Sequence, residues 1–252
     1  MMENRIGEKN INNFGSEMII TGYRNNKDID IYFPEYDWTF KHAQYPKFKK
    51  GNIKCPYEPR TCGVGYIGEG EYKSKINNKT TEYYKEWHNL IARCYDDNTI
   101  KRRPTYKNCI ISKEWLNFQN FSEWYNENYY KIQNETMCLD KDILIKNNKI
   151  YSSNTCIFVP NRINLLFIKS DKLRGELPVG VHYVKRNKKY RAQCSNGKES
   201  TYLGLYNTPK EAFEVYKTYK EKLIREVAEE YKNQIPNKLY RALLNYKIEI
   251  ND

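Results

Sequence analysis

Apolar and polar residues alternate in short runs through the first quarter of the chain. The runs MIITGY (18–23), DIDIYF (28–33) and WTFKHA (38–43) are separated by the turn-forming sequences RNNK and PEYD. Alternation with a period of two is typical of strands that bury one face. We therefore expect a small all-β module within residues 1–62, with a frayed polar segment over residues 1–14.

A helical pattern begins near residue 80. Large side chains recur there at spacings of three and four residues: Tyr84, Trp87, Ile91 and Cys94, then Trp115, Phe118, Phe121 and Trp124. This spacing places them on one side of each helix, so two packing helices are predicted over residues 80–95 and 115–129. The glycine-rich residues 63–79 offer little to bury and are predicted to form a linker.

Residues 138–167 predict a strand, a turn, a second strand and a short helix. An alternating run around Leu139, the turn sequence KNNK (146–149), the apolar run CIFV (156–159) and the helix-initiating Pro160 occur in that order. This layout directs four polar side chains towards one small volume: Asp140, Lys141, Asp142 and Asn164.

Three strand patterns and a helix pattern follow in the last third of the chain. Asn196-Gly197 predicts the turn of the second hairpin, and Thr208 with Glu211 forms a capping box around Pro209 at the start of the helix. The helix is expected to pack through Ala212, Tyr216, Tyr219, Leu223 and Val227. Alternation directs Tyr190, Ala192 and Cys194 inward, and it leaves an outward set of Lys189, Arg191, Gln193 and Ser195, with His182 and Tyr202 on the neighbouring strands.

Together these patterns predict an α+β chain with four segments. They are an N-terminal β module (1–62), a linker (63–79), bracing helices with the strand–turn–strand–helix stretch (80–170), and a three-stranded antiparallel sheet packed on a helix (171–252). Residues 236–252, at the end of the last segment, are expected to form a short helix and an edge strand.

The charge of the chain indicates the class of its partner. Lys and Arg number 43 against 31 Asp and Glu, which gives a net charge of +12 at pH 7. Residues 169–198 alone hold nine basic residues and two acidic ones. Because basic clusters gain affinity for polyanions by releasing counterions from phosphates, a nucleic acid is the expected partner.

Cysteine usage and hydropathy indicate the compartment. The seven cysteines include no CxxC pair, which predicts reduced thiols rather than a disulfide framework or a zinc site. No apolar run is long enough to span a membrane, and the N-terminal segment lacks an apolar signal region. We therefore expect a cytoplasmic protein without a membrane partner.

The order of motifs up to the strand–turn–strand–helix stretch is similar to that of phage HNH proteins. It runs through Trp87, Arg93-Cys94-Tyr95, Pro104-Thr105-Tyr106 and Glu114-Trp115-Leu116-Asn117-Phe118. Residues 138–167 themselves resemble the ββα-metal finger of HNH homing endonucleases, and we call them the finger. The resemblance places Asp140 at the metal-ligand aspartate and Asn164 at the helical asparagine that shares the metal. It also places Lys141 where the general-base histidine should stand, and Thr155 where the first asparagine should.

These departures leave two chemical interpretations of the finger. Phosphodiester hydrolysis needs a divalent cation and a base, and the oxygens of Asp140 and Asn164 suit Mg²⁺ or Mn²⁺. The resemblance then implies a catalytic group of Asp140, Lys141, Asp142 and Asn164. Two neighbouring carboxylates favour the charged form of Lys141, however, so a salt-bridged and catalytically silent finger is the alternative.

Two further groups in the helical region are candidates for chemistry. His88 directly follows Trp87 on the predicted helix. It could replace the missing histidine as a base, or it could be an ordinary polar residue of that helix. Lys101, Arg102 and Arg103 follow the first helix and are candidate phosphate contacts.

The last third of the chain resembles the Apetala-two/ethylene-response-factor DNA-binding domain of plants, which also occurs fused to phage HNH proteins. The matching framework residues are Gly180, Val181, Tyr190, Ala192, Leu203, Gly204, Tyr206, Thr208, Glu211, Ala212 and Tyr216. The resemblance implies that the sheet lies in the major groove of double-stranded DNA. The residues expected to contact DNA are His182, Lys185, Arg186, Lys188, Lys189, Arg191, Gln193, Ser195, Lys198 and Tyr202, of which Lys185, Arg186, Lys188 and Lys198 are expected at phosphates.

Three functions remain open at this point. The first is a phage-type, HNH-related endonuclease that nicks or cuts DNA with Mg²⁺ or Mn²⁺. The second is a silent DNA-binding protein without a cofactor, acting as a phage regulator or a counter-defence factor in a bacterial host cell. The third is recognition of a nucleoprotein complex of the host's defence.

Overall fold

The three alternating runs near the N-terminus and a short strand before them form a four-stranded antiparallel sheet in the order β1-β2-β3-β4. The strands are β1 (Lys9–Ile11), β2 (Glu17–Asn25), β3 (Asp28–Phe33) and β4 (Trp38–Ala43). Met18, Ile20, Ile29 and Ile31 are buried on one face, so the predicted period of two is confirmed.

A computed structural model describes residues 5–168, 175–250 and 252. The chain is α+β, as predicted, and forms two compact units, Met1–Glu127 and Asn128–Asp252.

The prediction of a frayed segment over residues 1–14 is wrong for the described residues of that segment. β1 pairs with β2, with Lys9 opposite Ile19. Asn12 is buried, and its side-chain amide donates to the Ile53 carbonyl at 3.0 Å and to the Glu58 carboxylate. The polar composition of this segment gave no strand pattern. The strand is stabilised by long-range hydrogen bonds rather than by the burial of apolar side chains.

The rest of the first unit is mainly helical. Its elements are the helices α1 (Tyr45–Lys49), α2 (Glu82–Tyr95), α3 (Asp97–Arg102), α4 (Lys113–Leu116) and α5 (Phe118–Asn128), the 3-10 turns Pro34–Tyr36 and Pro104–Tyr106, and the short strands β5 (Lys75–Ile76), β6 (Lys79–Thr80) and β7 (Ile110–Ile111). The helix expected over residues 115–129 is two helices, because Asn117 has an extended backbone. The indole N–H of the buried Trp87 donates to the Trp115 carbonyl at 2.8 Å, which joins α2 to α4.

Residues 63–79, predicted as a linker, are held against the helices. The Gln119 side chain on α5 donates to the Ile67 and Tyr72 carbonyls and accepts from the Tyr72 N–H at 3.0 Å. Gly65 is buried against Trp87. The absence of large apolar residues therefore did not prevent packing, because glycine backbone can approach an aromatic ring closely.

The second unit contains the finger and the three-stranded sheet. Its elements are β8 (Met137–Asp140), β9 (Ile150–Tyr151), β10 (Ile157–Pro160), α6 (Asn161–Leu165), β11 (Val181–Val184), β12 (Lys189–Ser195), β13 (Ser200–Tyr206), α7 (Pro209–Tyr231) and α8 (Asn237–Leu244). β10 pairs antiparallel with β8, and β12 lies between β11 and β13 in an antiparallel sheet. The finger thus has two paired strands followed by a short helix.

One hydrophobic core serves the whole second unit. Val159 and Ile163 of the finger belong to the same cluster as Val181 and Ala192 of the sheet and Ile224 of α7. The predicted segment boundary at residues 170–171 lies outside the described residues. The observed division into two units falls at residue 127, inside the segment predicted over 80–170.

The predicted turn and capping box before α7 are confirmed, whereas the residues through which α7 packs differ in part from the prediction. Thr208 and Glu211 form the predicted capping box, and the chain turns over residues 196–199 between β12 and β13. Buried positions on α7 include Phe213, Lys220 and Ile224, whereas the predicted Tyr219 and Leu223 are only partly buried.

The C-terminal residues pack back on the second unit. The predicted helix is α8, but no strand occurs in the described residues 245–250 and 252. Instead the Lys146 ammonium lies 2.7 Å from the Asp252 carboxylate, and the rings of Phe167 and Tyr246 are in contact. An ion pair and a ring contact therefore replace the expected edge pairing.

Gly180 gives a prediction for the stability of the second unit. Its backbone φ is +77°, and a Cβ at this position would lie 2.1 Å from the Tyr216 ring. We expect Gly180→Ala to lower the free energy of unfolding by roughly 2–5 kcal/mol, because left-handed strain and overpacking add. Urea unfolding measures the loss.

The matched control is Gly175→Ala. Gly175 also has a positive φ, +64°, but no atom of the described residues lies within 4 Å of the added methyl, so we expect only the backbone strain of about 1–2 kcal/mol. Equal losses in the two variants would contradict the close contact with Tyr216.

Candidate nucleic-acid interface and the finger

The sheet of the second unit has one buried face and one accessible face. Ala192 and Cys194 of β12 are buried under α7, so Arg191 and Gln193 point away from the helix, as predicted. His182 lies opposite Arg191 on β11, and Tyr202, 61% exposed, lies opposite Gln193 on β13. No strand of this sheet contains an acidic residue.

The predicted DNA contacts lie on this face and at both ends of β12. Lys185, Arg186 and Lys188 occupy the exposed turn before β12, and Lys198 lies in the exposed turn after it. A seven-residue strand is roughly 20 Å long, so this separation lies between the basic turn before β12 and the turn after it, where Lys198 is followed by Glu199. Among the described residues, none of the following cations forms an ion pair with a carboxylate: Lys185, Arg186, Lys188, Lys189, Arg191 and Lys198.

The centre of the face carries hydrogen-bonding groups with few internal partners. The buried Nε of Arg191 has no acceptor among the described residues. Burial and the neighbouring Arg191 charge lower the pKa of His182, so its ring is neutral at pH 7 and can both donate and accept. The Gln193 amide donates to the Ser200 hydroxyl across the strands.

Two contacts that the sequence did not indicate hold the turn between β12 and β13. The buried Lys220 ammonium on α7 donates to the Ser195 carbonyl at 3.0 Å, and burial lowers the Lys220 pKa. Gly197, with a φ of +91°, lies so close to Leu165 of α6 that a Cβ there would be 2.8 Å from the leucine Cβ. The position of Lys220 among the apolar residues of the helix pattern is the one sequence signal that could have indicated its contact with the Ser195 carbonyl.

In the finger, Asp140 organises the loop that follows β8. Its Oδ1 accepts from the backbone N–H of Asp142 at 2.9 Å and of Ile143 at 2.7 Å. This arrangement is an Asx-type turn, in which a carboxylate satisfies successive backbone donors. Asp140 therefore has a structural role within the finger itself.

Lys141 forms an ion pair inside the finger. It is only 8% exposed, and its ammonium lies 2.7 Å from the Asp142 carboxylate and 5.7 Å from the centre of the Tyr151 ring. Both neighbours stabilise the charged ammonium. Thr155 binds locally, because its hydroxyl donates to the Ile150 carbonyl at 2.7 Å.

The donor set of the finger fits a divalent cation poorly. Among the described residues, no hydrogen bond or ion pair joins the half-buried Asn164 to Asp140. One Asp140 oxygen already accepts two N–H groups, and Lys141 already supplies a positive charge. The convergence of Asp140 and Asn164 on one metal stays a prediction.

A different acidic group lies in the first unit. Asp28, Asp30 and His42 place one ligand atom each within 4.8 Å of one another, and no other triad of His, Cys, Asp or Glu does so within the described part of the chain. Arg24 already pairs with Asp28 at 2.7 Å and with Asp30 at 2.6 Å. A guanidinium therefore occupies the position where a cation would bind.

The remaining predicted residues are placed as follows. His88 is exposed on α2, with its ring 6.0 Å from that of Tyr84. Lys101 and Arg102 end α3, and Arg103 follows it; all three are exposed. All seven cysteines are free thiols, and burial raises the pKa of the Cys156 thiol to about 12.

Comparison with known proteins adds no further identification. No family model, curated protein or solved structure matches this chain. No helix in the described residues is long and apolar enough to cross a membrane. The resemblances to the HNH finger and to the plant DNA-binding domain therefore stay predictions.

Asp140 gives a prediction with a defined pH dependence. Burial, with the Asp142 charge as a second cause, raises the pKa of Asp140 from 3.8 to about 6. The stabilisation that the protonated form provides is therefore complete below 3.8 and lost as pH rises through about 6. Asp140→Asn keeps Oδ1 as the acceptor of both N–H groups and removes the buried charge. We expect it to stabilise the protein by about 1–3 kcal/mol at pH 7, with the gain vanishing in acid.

Thermal unfolding across this pH range measures the effect, and Glu214→Gln, on the exposed side of α7, is the control. A wild-type melting temperature that rises with Mn²⁺ and an Asp140→Asn variant that loses this response would contradict the structural role. They would favour the metal site instead.

Proposed function

We propose that this chain binds double-stranded DNA through the accessible face of the β11–β13 sheet. The observation that carries the proposal is a strand face without carboxylates, with a basic turn at one end and Lys198, beside Glu199, at the other; none of these cations forms an ion pair among the described residues. Unpaired cations repel one another, and a phosphate backbone that approaches them removes this cost and releases counterions.

The face divides into two kinds of contact under this proposal. Arg191 and Gln193 at its centre have planar, multiply hydrogen-bonding ends of the type that reads base edges in the major groove. Lys185, Arg186 and Lys198 at its margins would contact phosphates, which set the position of the protein on the duplex but carry no sequence information. His182 and Tyr202 flank the central pair.

We further propose that the finger is structural and catalytically silent. Lys141 occupies the position that the resemblance gives to the general base, and its ion pair with Asp142 favours the protonated ammonium, which cannot accept a proton. Action as a phage regulator or counter-defence factor in the bacterial cytoplasm, and binding of a host nucleoprotein complex, stay predictions.

Arg191 provides the test of the interface. We expect Arg191→Ala to weaken binding to a duplex selected from a random-sequence pool by about 5–100-fold, because a bidentate arginine contributes about 1–3 kcal/mol of discrimination. Gln193→Ala should act in the same direction, and both variants should melt like the wild type. Fluorescence anisotropy at fixed salt measures the affinity.

The matched control is Arg241→Ala, which removes an exposed arginine from α8 and makes the same change in net charge. Equal affinities for the Arg191, Gln193 and Arg241 variants would contradict a DNA interface on the sheet. A loss that is the same for every duplex sequence would assign Arg191 to phosphate binding rather than to base reading.

A nicking assay tests the silent finger. We expect supercoiled plasmid to stay intact after incubation with the wild-type protein and Mg²⁺ or Mn²⁺, because the finger has no histidine and its Lys141 is held as an ammonium by Asp142. Relaxed plasmid that forms with the wild type and not with Asp140→Ala would overturn this part of the proposal. Relaxation by both proteins would indicate a contaminating nuclease or a different centre.

A further inference from the structure

A second basic surface lies in the first unit, within residues 98–113. This stretch contains five basic residues and no acidic one. All five are exposed: Lys101, Arg102, Arg103, Lys107 and Lys113. We call these five side chains the basic loop surface.

Within the described part of the chain, several exposed cations of the first unit have carboxylate partners, whereas these five, like Lys47 and Lys54, do not. Lys85 pairs with Glu82 at 2.7 Å, Lys9 with Glu17 at 3.1 Å, and Lys49 with Glu8 at 3.0 Å. Among the described residues no ion pair involves any member of the basic loop surface. Arg102 donates to the Asn98 carbonyl and the Thr99 hydroxyl, and its charge, after the hydrogen bonds from Thr99, lowers the pKa of Asp96. Asp96 and Asp97 precede the stretch and Glu114 follows it, so five cations lie beside three flanking carboxylates and the local excess is two positive charges.

The backbone beneath these cations is ordered by consecutive turns. The N–H groups of Tyr106, Lys107 and Cys109 donate to the carbonyls three residues earlier at 2.9–3.1 Å. The Tyr106 ring lies 6.0 Å from the Arg93 guanidinium, and Cys109 is buried. Cations on an ordered backbone bind a ligand without the cost of ordering a loop.

Stabilisation of a helix end explains only part of this surface. Lys101 and Arg102 lie in the last turn of α3, where cations interact favourably with the helix dipole. Arg103, Lys107 and Lys113 lie outside that turn. The helix dipole therefore does not account for these three cations.

We propose that the basic loop surface is a second contact for the phosphate backbone of double-stranded DNA, separate from the sheet. Arginine forks match phosphate oxygens bidentately, and a run of cations without interspersed acidic groups suits a ligand of uniform negative charge. The proposal rests on the proposed function for the identity of the ligand, and it assigns this surface affinity without sequence preference.

The test compares four full-length proteins on one random-sequence DNA duplex over a range of salt concentrations. The loop variant is Lys101→Gln/Arg102→Gln/Arg103→Gln, and the sheet variant is Lys185→Gln/Arg186→Gln/Lys198→Gln. We expect the loop variant to bind about 10–100-fold more weakly, with a plot of log affinity against log salt that is shallower by about 3. Circular dichroism and melting confirm that each variant is folded.

The matched control removes three lysines that already have acidic partners, Lys9→Gln/Lys85→Gln/Lys222→Gln, and so makes the same change in net charge. A loop variant with the affinity and salt slope of this control would overturn the second contact and leave the sheet interface standing. Binding that is lost in the loop variant but unchanged in the sheet variant would support the second contact and overturn the proposed function. A wild type that binds single-stranded RNA but no duplex would overturn both.

Discussion

The geometry of the second unit depends on the burial of Ala192 and Cys194 beneath α7. Successive side chains of a strand point to opposite faces, so burying these two directs Arg191 and Gln193 to the accessible face. A shift of one residue in the pairing of β12 would place charged groups in the core, which fixes the register strongly. The hydrophobic core thus determines which polar side chains can meet a ligand, although it contains none of them.

The finger contributes to the same core, and this gives it a role that needs no catalysis. Val159 and Ile163 pack in one cluster with the sheet and α7, and Leu165 supports the turn at Gly197. Loss of the finger would therefore expose apolar surface and release one end of the candidate interface.

Local signals in the sequence predicted much of this fold. The alternating runs over residues 18–43, the turn after β12 and the capping box at Thr208 were evident because each depends on neighbouring residues. Sequence patterns did not reveal β1 or the packing of residues 63–79, because distant amide side chains stabilise both. The outward residues of the sheet were predictable for the same local reason, whereas the support from Lys220 joins residues 25 positions apart.

Whether a cation can bind a polyanion depends on the partner it already has. Lys141 is enclosed with the Asp142 carboxylate, so a phosphate could reach it only by breaking an ion pair and displacing buried groups. Exposed cations without partners are different, because water screens their repulsion cheaply and a phosphate adds attraction without removing an existing bond. The net charge of +12 is thus less informative than its distribution. Lys141 in the finger is held by an ion pair with Asp142, whereas the cations around β12 and between residues 98 and 113 have no such partner among the described residues.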